Sequence, residues 1–91
     1  MASISARSAH KYVMSQLERM NSGYEIELLS FKKDRSVVVM KVEDGKFRIR
    51  EEGYLNGEKD LDKEILSKEL KKAIEREFPR SNTLFVSLRK S

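Results

Sequence analysis

Hydrophobic and polar residues alternate most regularly across Val37–Arg50, where two runs of apolar and charged residues flank Asp44-Gly45. An Asp-Gly pair suits a two-residue type I′ turn, because both central residues need positive φ and Gly supplies it without steric cost. The spacing predicts a hairpin in which Glu43 faces Lys46, Val42 faces Phe47, Met40 faces Ile49 and Val38 faces Glu51. Upstream, Tyr24 to Phe31 alternates so that Tyr24, Ile26 and Leu28 share one face, with Leu29 and Phe31 on the other. A three-residue loop at Lys32-Lys33-Asp34 pairs Leu28 with Val38, Ile26 with Met40 and Tyr24 with Val42. A two-residue turn at Lys33-Asp34 would bring Glu25 and Glu27 to the core side, which the cost of burying charge disfavours.

Helical spacing takes over on either side of these strands. Ala6, Ala9, Val13, Leu17 and Met20 recur on one stripe, widened by Tyr12 and Met14, and predict a helix over residues 4–21. Ser3 or Ser5 can cap it, Asn21-Ser22-Gly23 can stop it, and residues 1–4 are expected to fray. A second stripe of Leu61, Ile65, Leu66, Leu70, Ala73, Ile74 and Phe78 predicts a helix capped by Asp60 or Asp62, with Pro79 past its end. Between strand and helix, Asn56-Gly57 reads as a turn, and Tyr54-Leu55 as a short arm or a crossing of the domain edge. Thr83 to Arg89 closes the chain as a strand with Leu84, Val86 and Leu88 on one face and Phe85 on the other. So apolar a strand is expected beside another strand or a second chain, not at a bare edge. The expected fold class is α+β in the order α-β-β-β-α-β, an antiparallel sheet with two helices packed on one face.

Residues 1–91 allow one small domain, and 38% hydrophobic against 37% charged residues make its surface densely charged. Cysteine is absent, which excludes disulfides and thiolate metal sites and fits a reducing compartment. No apolar run approaches a membrane span and the first residues lack an apolar signal core, so the reading is a cytoplasmic protein with no membrane partner. A single Gln among many Lys and Glu is a composition also found in thermophile proteins.

Catalytic signatures are missing. His10 is the only histidine and reads as a surface or boundary helix residue. Glu51 and Glu52 point to opposite faces of a strand, and Asp60 and Asp62 are explained by capping. Gly53 and Gly57 are not followed by a Gly-Lys-Ser/Thr phosphate loop, and no Ser sits in an elbow motif. The expectation is therefore a protein that is not an enzyme, with no cofactor, no metal and no evident small-molecule substrate.

Two binding readings compete. Leu29, Phe31, Val37 and Val39 fall on the sheet face away from the helices, a patch that either is covered internally by the C-terminal strand, the Tyr54-Leu55 arm or a helix, or marks protein contact, with a homodimer as the expected partner. The alternative is a basic surface for RNA or DNA. The net charge of +4 is concentrated at the two ends of the chain, where Arg80, Arg89 and Lys90 have no acidic neighbour in sequence. Lys32, Lys33, Arg35, Lys41, Arg48 and Arg50 would join them, although Glu25, Lys41 and Arg48 can equally form a solvated charge ladder across the strands. The order α-β-β-β-α is similar to that of double-stranded-RNA-binding domains and of the Alu-binding proteins of the signal recognition particle. The former place a His-containing loop between the first two strands and a lysine cluster at the start of the last helix. Here the loop is Lys32-Lys33-Asp34-Arg35 and the helix opens with Asp60-Leu61-Asp62, so no residue role is carried over. The primary expectation is a small protein-interaction module, and the alternative a weakly basic nucleic-acid-binding domain.

Overall fold

The computed structural model describes residues 2–90. In chain order the elements are β1 (Ala2–Ser5), a 3₁₀ turn (Ala6–Ser8), α1 (Ala9–Arg19), β2 (Tyr24–Leu29), β3 (Ser36–Glu43), β4 (Lys46–Glu52), β5 (Gly57–Asp62), α2 (Lys63–Glu77) and β6 (Thr83–Lys90). The six strands form one sheet in the order β1-β6-β2-β3-β4-β5, with every neighbouring pair antiparallel. The fold is α+β, with α1 and α2 on one face of the sheet. Among the described residues no helix is long and apolar enough to cross a membrane.

Each helix is built by its stripe. α1 buries Ala9, Val13 and Leu17, and α2 buries Leu66, Leu70, Ala73, Ile74 and Glu77. The Asp62 carboxylate caps α2 by accepting from the Ile65 amide at 3.0 Å, and Pro79 lies just beyond its last turn. Ile65, expected on the buried stripe, is exposed. The helix expected from residue 4 starts later, because Ala2–Ser5 is not frayed but paired with β6, Ile4 opposite Leu84. β6 is consequently an internal strand between β1 and β2, which explains why Leu84 and Val86 can be buried there.

The hairpin differs from its expected register. Glu43 does face Lys46, but Val42 is a bulge, so Lys41 faces Phe47, Val39 faces Ile49 and Val37 faces Glu51. The same one-residue displacement places Val37 opposite Leu28 and Val39 opposite Ile26, and widens the preceding connection to Ser30–Arg35. Val37 and Val39 are therefore core residues, fully buried under the helices, not members of an outward patch. Lys41 moves to the helix side with them. Its stem lies against the core edge and its Nζ donates to the Leu17 and Met20 carbonyls at 3.2 and 3.0 Å, capping the C-terminal end of α1. The register predicts that Val39→Lys abolishes cooperative unfolding at 25 °C, whereas Met40→Lys on the opposite face changes stability by less than about 1 kcal/mol in urea titrations. The reverse ranking would restore the unbulged hairpin.

Candidate binding cleft

The sheet face away from the helices is occupied by ion pairs. Arg89 on β6 donates to Glu25 and Glu27 on β2, both at 3.1 Å. Arg48 on β4 donates to Asp60 on β5 at 2.7 Å and lies 3.2 Å from Glu58. The Arg48 hydrogen bond holds the Asp60 carboxyl below the usual carboxylate range. Arg50 sits 3.5 Å from Glu52. The stems of Glu25, Arg48 and Arg50 surround Val38 and Met40, and Val38 is buried despite facing away from the helices. The expected Glu25–Lys41–Arg48 ladder does not form, because the bulge sends Lys41 to the other face. Arg48, Arg50 and Arg89 thus have carboxylate partners, and Lys41 caps a helix. Lys90 is exposed at the end of β6 opposite Tyr24, away from the loops that follow β2 and α2.

Four of the remaining candidate cations meet at the other end of the sheet. The Ser30–Arg35 loop leaves β2 there, and Pro79–Asn82 connects α2 to β6 beside it. A cleft of about 660 Å³ opens between them, with Lys32, Arg35 and Arg80 on its walls. Ser30 organises the first loop. Its amide donates to the Arg35 carbonyl at 3.0 Å, its hydroxyl donates to Asp34 at 2.8 Å, and the same hydroxyl accepts from the Arg35 amide. The hydroxyl hydrogen bond lowers the Asp34 carboxyl pKa. Lys33 adopts φ +62 and its ammonium stands 5.6 Å from the centre of the Phe85 ring. Phe31 stacks on Phe85 with ring centres 5.4 Å apart and planes 18° apart, yet remains 70% exposed. Among the described residues neither Lys32 nor Arg80 makes a contact ion pair, although the Lys32 charge helps to hold the Asp34 carboxyl low.

The four residues expected to form one apolar contact surface are therefore divided. Phe31 is exposed, Leu29 is half-buried, and Val37 and Val39 offer nothing to a partner. Phe85 completes the aromatic pair, although nothing near it in sequence suggested a role. Alternation had placed Phe31 and Phe85 away from their strands' core-facing residues, but only the pairing of β6 with β2 makes them neighbours.

No family model, curated protein or solved structure matches the chain. Among the described residues there is no cluster of His, Asp or Glu able to hold a metal ion. His10 is engaged between the helices, its Nε2 2.9 Å from the Ser67 carbonyl.

Beneath the cleft lies the most buried charged group of the described chain. Glu77 is 2% exposed, and its carboxylate accepts from the Tyr54 and Leu55 amides at 2.7 and 3.0 Å. The bend after β4 passes so close that a Cβ on Gly53 would collide with Glu77 Oε1 and come within 2.8 Å of Arg35 Cγ; its φ of +148 likewise demands Gly. Arg35 Nη1 donates to the Glu77 carbonyl at 3.4 Å, while Arg76 binds Glu51 through two hydrogen bonds of 2.7 and 2.8 Å. Burial raises the Glu77 pKa, but the Leu55 and Tyr54 amides that donate to the carboxylate and the nearby Arg35 charge oppose it, and the net shift is downward. A lowered carboxylate contributes stability above its unfolded pKa and loses it as pH falls through the folded value. Glu77→Gln is expected to cost about 1.5–3 kcal/mol at pH 7. That deficit should narrow below pH 4.5, the group's ordinary value, in denaturant titrations at successive pH. A deficit independent of pH would remove ionised Glu77 from the support of the cleft.

Proposed function

We propose that the protein is a non-enzymatic module that binds nucleic acid, RNA or DNA, at the loop end of its sheet. The observation that carries this reading is the exposed Phe31 ring stacked on Phe85, bordered by Lys33 and by Lys32 and Arg80, neither of which is held in a contact ion pair. An aromatic face next to phosphate-seeking cations suits a ligand that alternates π-systems with negative charge. The backbone of Lys33 supports the same reading. A non-glycine residue in the left-handed region costs about 1–2 kcal/mol, and a glycine there could not reach Phe85. The carboxylates bordering the cleft, Asp34 and Glu77, already accept hydrogen bonds from Ser30 and from the Tyr54 and Leu55 amides, which favours binding over acid–base chemistry.

Cations held by carboxylates gain little from a phosphate, whereas unpaired ones release counterions when they meet it. Fluorescence anisotropy with a labelled 20-residue oligonucleotide at about 50 mM salt is therefore expected to report micromolar binding. Lys32→Glu with Arg80→Glu should abolish it, while Arg48→Gln with Arg50→Gln should leave affinity within about twofold. The opposite pattern would move the site to the sheet face, and no binding by the wild type would overturn the proposal.

A further inference from the structure

Resting on that reading, we infer that the ligand is an unpaired strand, one base of which stacks on the free face of Phe31 while its flanking phosphates lie against Lys32 and Arg80. One face of Phe31 is taken by Phe85 and the ring is still largely exposed, so what remains available is an area for stacking, not an edge. Bases within a duplex have both faces occupied by their neighbours and offer only edges in the grooves. A single strand can turn a base out and present its whole face.

Charge points the same way. Four cations, Lys32, Lys33, Arg35 and Arg80, gather around the aromatic pair at the loop end, whereas the adjoining sheet face carries Glu25, Glu27, Glu52, Glu58 and Asp60. A duplex is stiff and carries two backbones separated by grooves about 6 and 12 Å wide, so contact with one backbone brings the other towards these carboxylates. A flexible strand avoids them by following the cleft between the Ser30–Arg35 and Pro79–Asn82 loops. The cleft volume of about 660 Å³ lies in the range of pockets that hold small-molecule ligands, which is room enough for a nucleotide unit. With only Lys32, Lys33, Arg35 and Arg80 engaged, two or three phosphates are contacted. Affinity for the strand should accordingly fall about tenfold between 50 and 200 mM salt.

The chain contains no tryptophan, so Phe31→Trp places a single reporter at the stacking position. The test titrates wild type, Phe31→Ala and Phe31→Trp with a labelled dT20 strand, the dA20·dT20 duplex and poly-glutamate. The strand is expected to bind about tenfold more tightly than the duplex, Phe31→Ala to weaken the strand alone by about tenfold, and Phe31→Trp to keep affinity with its fluorescence quenched by the strand only. Equal affinity for strand and duplex, unchanged by Phe31→Ala, would overturn the single-strand inference while leaving a phosphate-binding surface. Binding of poly-glutamate as tight as that of the strand and indifferent to Phe31 would also overturn it, and assign the cations to any polyanion. Failure to bind either nucleic acid at low salt would overturn both the inference and the reading beneath it.

Discussion

The Val42 bulge sets which face each upstream residue of β3 presents, and the sheet is arranged around that choice. Side chains alternate along a strand, so one extra residue exchanges the two faces completely. With the bulge, Val37 and Val39 join Ile26, Leu28 and Ile49 beneath the helices, and Lys41 reaches the last turn of α1. Without it, Val42 and Met40 would take those places and the α1 carbonyls would lose their cation. The helix terminus and the strand register are thus coupled through a single lysine. Favourable charge at a helix C-terminus and satisfied terminal carbonyls both reward the bulged form.

That register also shapes the charge available for binding. Because Lys41 leaves the open sheet face, Glu25 is free to pair with Arg89, and Arg48 turns to Asp60 and Glu58. Most cations there are neutralised locally, as expected of a densely charged small domain with little apolar surface to spare. At the loop end the balance differs. Glu77 is committed to backbone amides, Glu51 to Arg76, and Asp34 to Ser30, so Arg80 has no carboxylate in contact and Lys32 has only the longer-range pull of Asp34. Buried carboxylates serve here as scaffolding, holding the bend after β4 against α2 so that the loops beside it keep their shape.

Two elements were legible in place from local pattern. α2 carries a stripe from Leu66 to Ile74 with an acidic cap and a following Pro, although Ile65 is exposed and Leu61 belongs to β5; the Asp44-Gly45 turn stands where expected but not as type I′, since only Gly45 and not Asp44 has positive φ. β5 had no such signal: Gly-Glu-Lys-Asp-Leu-Asp has one apolar residue, and the strand forms because Arg48 and Phe47 on β4 supply partners for Asp60 and Leu61. Its charges are what an edge strand uses to resist further pairing. β1 was equally hidden, since Ala-Ser-Ile-Ser becomes a strand only where the edge of β6 is waiting. The Val37–Met40 run is apolar at both parities, so alternation could not say which half faces the helices.

Local spacing and composition were enough for the class of fold, most of the two helix faces, the position of the hairpin turn and the lack of thiols, but not for the turn's conformation, in which Asp44 keeps a negative φ. The tertiary structure decided the register of β3, the place of β6 between β1 and β2, and the meeting of Phe31 with Phe85. It also decided which cations are held and which are free. The physical reason is range. Periodicity and turn chemistry act over a few residues, whereas a strand's neighbours and a charge's partners are chosen across the folded chain, where Arg89 can find Glu25 and Arg35 can find Glu77.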